Sequence, residues 1–72
     1  MGKHPELVRL GENIRALRKE KGFSQESFAN TCGLARAYYG GVERGERNIA
    51  ALNLFKIAKT LDVGVGKLFD DK

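Results

Sequence analysis

Segment 25–44 most constrains what this chain can fold into, because it sets two short apolar-faced stretches on either side of a glycine. Phe28 and Ala29 share one face of the first stretch, and Leu34, Tyr39 and Val42 return an apolar face in the second. Gly33 stands at the break, where a residue free to take φ > 0 lets the chain turn sharply. The small Ala29 suits a close helix crossing. Two helices folded across such a turn form the arrangement that presents one of them to the major groove of DNA.

The flanking sequence predicts further helices. Pro5 suits a first helical turn, and Leu7, Leu10, Ile14 and Leu17 recur at helical spacing until Lys21 and Gly22, a basic last turn followed by a C′ glycine. These residues predict a helix over about 5–21. Ser24 can cap the next helix, with Glu26 in its favourable first turn, giving a second helix over about 25–31 and a third over about 35–44, stopped by Gly45. After a polar loop at 46–49, Ala51, Leu54, Ile57, Ala58 and Leu61 mark a fourth helix over about 50–61, flanked by Leu52 and Phe55. Val63, Val65, Leu68 and Phe69 predict a short fifth helix, with Asp70 to Lys72 a polar end. No period-two strand pattern and no internal repeat interrupts this reading. With 72 residues, one proline and 42% hydrophobic content, residues 1–72 are expected to form a single all-α domain, a compact five-helix bundle.

The composition narrows the function. Cys32 is the only cysteine and His4 the only histidine, so no intrachain disulfide, zinc cluster or cofactor site is expected, and an enzyme has little to work with. No apolar run approaches the ~18–20 residues of a membrane span, and the start of the chain lacks an apolar export segment. A cytoplasmic protein that neither crosses nor enters a membrane is the expectation. The net charge of +4 suits a polyanionic partner without specifying one.

The third helix has two sides. With Ala35 at zero and about 100° per residue, Tyr39 and Val42 fall on the core side, while Arg36, Ala37, Gly40, Gly41 and Arg44 lie outward. The bidentate fork of Arg36 matches guanine O6 and N7 better than any other side chain present, which makes Arg36 the first choice for base readout. Gly40 and Gly41 each cost about 0.8–1 kcal/mol relative to Ala inside a helix. Close approach to DNA bases accounts for them; tight helix packing and a tolerant surface are the alternatives. Tyr38 sits at the boundary, its hydroxyl able either to reach a phosphate or to cap the edge of the core. Glu43 is an odd acid to place beside DNA unless a cation neutralises it. Arg18 is the partner expected, against the plain alternative of a solvated charge.

Leu17-Arg18, Gly22, Ser24-Gln25-Glu26, Ala29, Gly33-Leu34, Val42-Glu43-Arg44-Gly45, Arg47-Asn48 and the stripe from Leu54 to Phe69 together resemble the Xre/Cro-type helix-turn-helix family over about residues 10–69. The resemblance implies a lambda-repressor-like bundle of five helices that binds double-stranded operator DNA, commonly as a dimer. Arg36-Ala37-Tyr38 followed by Val42 to Asn48 looks most like the controller proteins of restriction–modification systems. Carried over residue by residue, it implies base contacts from Arg36 and Ala37, and phosphate contacts from Ser24, Gln25, Tyr38, Arg44, Arg47 and Asn48. It also implies a structural ion pair between Arg18 and Glu43. Ala35 and Ala50 depart from the usual Ser or Thr caps, Ala37 replaces a hydrogen-bonding Thr, and Tyr39 replaces an Ile or Val.

One short recognition helix reads few base pairs, whereas two related by a twofold axis double the readout. A homodimer through the fourth and fifth helices is therefore expected, using Leu52, Phe55, Val65 and Phe69; burial of these side chains in the core is the alternative. The pattern assigns no surface to RNA polymerase. The rival function is an interaction module that keeps the shape but binds a protein, such as an antitoxin.

Overall fold

The computed structural model describes residues 4–70, in which four α-helices surround one core. They are α1 (Pro5–Glu20), α2 (Gln25–Cys32), α3 (Arg36–Glu43) and α4 (Ala51–Leu61), followed by a 3-10 segment, Val65–Phe69. The five-helix expectation is corrected at this last element. Five residues that include Gly66 are too few and too weakly helical to sustain i→i+4 bonding, so Lys67 N–H reaches back only to the Gly64 carbonyl, at 3.0 Å. Residues 1–3 and the final Asp71 and Lys72 lie outside the described residues.

The helix ends follow the sequence closely. Ser24 caps α2 by accepting from Ser27 N–H at 3.0 Å, while Ser24 N–H donates to the Ser27 hydroxyl at 3.1 Å. Neither Ala35 nor Ala50 supplies a side-chain cap to the helix it precedes. All four helices close with the same six-to-one backbone bond across a left-handed residue: Phe23 to Arg18, Leu34 to Ala29, Glu46 to Gly41 and Val63 to Ala58. The left-handed residue is Gly33 between α2 and α3, at φ 77°, but Asp62 after α4, at φ 60°.

Ile14, Phe28, Tyr39, Ile57, Leu61 and Leu68 are fully buried, so every element contributes to one core. Phe28 packs edge-on to Phe23 with ring centroids 5.1 Å apart and against Tyr39 at 5.2 Å. The first turn of the helix stripe loosens outward, since Leu7 and Leu17 are only partly buried and Ala51 is exposed. At Gly11 the backbone of α1 meets the last turn of α3, and an added Cβ would stand 2.5 Å from the Glu43 carbonyl oxygen. The loop after α3 is equally close. A Cβ at Gly45 would lie 2.7 Å from the Val8 Cα.

Candidate nucleic-acid interface

The third helix is held from behind by a buried acid. Arg18 Nε donates to Glu43 Oε2 at 2.6 Å and Arg18 Nη2 to Oε1 at 3.2 Å, with both residues buried. Arg18 Nη1 also donates to the Phe23 carbonyl at 2.8 Å, and the Tyr39 hydroxyl donates to Glu43 Oε2. Burial alone would raise the Glu43 carboxyl, but hydrogen bonds from Arg18, Tyr39 and Gln25 outweigh it and hold the group below its usual range. The Glu43 hydrogen bond raises Arg18, and burial raises the Tyr39 phenol. The pair is thus fully charged and tyrosine stays protonated at neutral pH. Tyr39, in place of the family's usual aliphatic residue, supplies a third hydrogen bond to this acid.

The opposite side of α3 carries the expected contact residues. Arg36 and Ala37 are exposed on its first turn, and Arg36 makes no hydrogen bond or ion pair among the described residues. The uncapped start of the helix leaves its first N–H groups without a side-chain partner. Arg44, Arg47 and Asn48 are exposed beyond its end, Arg44 linked to Glu46 at 3.0 Å. Tyr38 is half-buried; its hydroxyl accepts from Asn53 Nδ2 on α4 at 3.1 Å, and its ring lies 5.9 Å beneath the Arg47 guanidinium. Ser24 is exposed with its hydroxyl engaged in the cap, and Gln25 is half-buried.

Gly40 and Gly41 require correction. Both are buried rather than open to bases. The angular argument rightly turns them from the core, but long polar side chains fold back over them. A Cβ at Gly41 would meet Arg47 Cγ at 2.8 Å, and one at Gly40 would meet Arg44 Nη1 at 3.2 Å and Gln25 Oε1 at 3.4 Å. The glycines are seats for the expected phosphate-binding side chains. The sequence reading missed Asn53, Asn13 and Gly11; a boundary tyrosine hydroxyl needing a partner was the available sign of Asn53.

The remaining sites sort quickly. Leu52, Phe55 and Phe69 are 75%, 57% and 54% exposed, while Val65 is only partly buried against the core. Cys32 is buried, donates toward the Thr60 hydroxyl at 3.4 Å, and burial raises its thiol. Among the described residues no group of three or more His, Cys, Asp or Glu converges on a metal position, and no helix is long and apolar enough to cross a membrane.

A helix-turn-helix family model matches residues 14–68, and the chain belongs to that family, an Xre-type DNA-binding regulator of transcription. Its relatives within the family include restriction–modification control proteins. It is 45% identical over 65 residues to control protein C.MunI of a Mycoplasma species, covering 89% of this chain and 88% of that protein. The crystal structure of the controller protein C.AhdI from Aeromonas hydrophila superposes with a TM-score of 0.89 at 47% identity, covering 92% of this chain and all of the other. C.Esp1396I bound to a 19-base-pair DNA duplex superposes with a TM-score of 0.82 at 35% identity, covering 92% and 88%. These relatives are regulators rather than enzymes, and the antitoxin reading is not favoured.

Proposed function

We propose that this protein controls a restriction–modification system by binding a twofold-symmetric operator as a homodimer, each protomer placing the first turn of α3 in the major groove. The observation that carries this reading is the exposed, unpaired Arg36 at the uncapped start of α3, beside exposed Ala37 and ahead of Arg44, Arg47 and Asn48. Arg36 reads a guanine, and Ala37 offers apolar contact suited to a thymine methyl. Arg47, Asn48, Arg44, Tyr38, Ser24 and Gln25 line the phosphate backbone. The exposed Leu52, Phe55 and Phe69, with Val65, form the face that a second copy covers. A 19-base-pair duplex, the length bound by C.Esp1396I, has room for two half-sites about one helical turn apart. A regulator that acts on DNA works in the cytoplasm.

The experiment is selection of bound duplexes from a random pool, followed by ranking single-base variants with wild type and Arg36→Ala. The variant should lose discrimination at one position per half-site, by about 1–3 kcal/mol, whereas Arg47→Ala should weaken all sequences alike. An unchanged ranking overturns the assignment of Arg36. Failure to select any duplex at low salt overturns the reading as a whole.

A further inference from the structure

We propose that Asn13 is a positioning residue for self-association: its side-chain amide fixes the outward presentation of Phe69 to a second copy of this chain. The inference rests on the dimer reading above and adds a residue on α1 to it. Asn13 Nδ2 donates to the Leu68 carbonyl at 3.0 Å and to the Asp70 carbonyl at 2.9 Å, so both hydrogens of one amide hold the two peptide groups that flank Phe69. Leu68 is completely buried, and Phe69 beside it is 54% exposed.

The segment needs that hold because its own bonding is weak. It is a five-residue 3-10 turn, its closing bond from Asp70 N–H to the Lys67 carbonyl is 3.3 Å long, and the Lys67–Asp70 ion pair is 3.6 Å long and exposed. Leu68 anchors the turn in the core but leaves the next peptide free to rotate. Asn13 removes that freedom, so Phe69 is ordered before it meets a partner and less is lost on binding. The two hollows beside Asn13 are lined by Glu6, Arg9, Leu10 and Phe69 on one side and by Ala16, Leu17, Glu20, Lys67 and Asp70 on the other. No residue of α2 or α3 lines either, so the amide works apart from the DNA-facing side.

The test measures dimer dissociation by sedimentation for the full chain, Phe69→Ala, Asn13→Ala and the double variant, with affinity for a single half-site duplex as a second readout. Asn13→Ala should weaken the dimer about tenfold, leave half-site affinity unchanged, and add little on top of Phe69→Ala. Glu12→Gly, which weakens the same helix without touching the turn, should lower stability but not dimerisation. Should Asn13→Ala be too unstable to measure, Asn13→Ser carries the same comparison. Wild-type dimerisation in the Asn13 variant, or additive losses in the double variant, overturns the proposal while the interface stands. An unaffected dimer in Phe69→Ala overturns both the interface and the role of Asn13.

Discussion

Gln25 donates its side-chain amide to Glu43 at 3.0 Å, tying the first residue of α2 to the last residue of α3. The acid that Arg18 neutralises in the interior therefore also orients a side chain on the DNA-facing side. Ion pair, recognition helix and expected phosphate contact are one connected unit.

Truncating Glu43 to Ala leaves Arg18 buried without its counter-charge and should cost about 3–5 kcal/mol. A double-mutant cycle with Arg18→Met, read by urea unfolding, should return a strong favourable coupling between the two residues. Additive losses would mean that the pair contributes nothing beyond its separate parts.

Stability should fall on both sides of neutrality. Glu43 sits below its usual value of 4.5 when folded, so in acid the unfolded chain takes up its proton first, and stability drops as pH falls below about 4.5. Tyr39 is raised above its usual value of 10.0, so the unfolded chain ionises first in alkali and stability drops as pH rises above about 10. Urea midpoints across pH check both limbs, and Tyr39→Phe should remove the part of the alkaline decline that this phenol causes.

Gly41→Ala should separate stability from binding. Alanine is the better helix former by about 0.8–1 kcal/mol, but its Cβ would meet Arg47 Cγ at 2.8 Å and push that side chain off the Tyr38 ring. The expected outcome is undiminished thermal stability with several-fold weaker binding to every duplex, by fluorescence anisotropy. In an Arg47→Ala background the substitution should have no further effect on binding.

Two substitutions should stabilise the fold. Asp62→Gly relieves a left-handed conformation that costs a side-chain-bearing residue about 1–2 kcal/mol, part of which the extra chain entropy of glycine offsets. Ala50→Ser supplies the cap that α4 lacks and should contribute about 1 kcal/mol. Each should raise the urea midpoint without changing affinity for DNA.

The four α-helices were legible because their apolar residues recur at helical spacing and their ends carry Pro5, Ser24, Gly22 and Gly33 at the positions the backbone requires. The last element was legible only as an apolar stretch, since Val63, Val65, Leu68 and Phe69 do not report whether i→i+3 or i→i+4 bonding wins over five residues. The Arg18–Glu43 pair came from the family pattern; nothing in the spacing of 18 and 43 announces it. Gly40 and Gly41 were set on the correct side of α3 but given the wrong neighbours. An angular projection treats one helix alone, whereas Arg47 and Gln25 reach these glycines from outside it. Asn13 was missed because a polar residue at the edge of an amphipathic helix reads as solvent-facing until the distant carbonyls of Leu68 and Asp70 are brought to it.

Gly11 and Gly45 bring α1 against the end of α3 backbone to backbone, with no side chain between them to act as a cushion. Two such surfaces cannot slide or tilt by small steps, because every movement is a collision or a void. The recognition helix is therefore mounted rigidly, and the molecule has no soft adjustment with which to accommodate a poorly matched groove. A change of target must come from exchanging the side chains at 36 and 37 on an unmoved frame. Grafts at those two positions should transfer preference between related regulators intact, much as one typeface block replaces another in the same press.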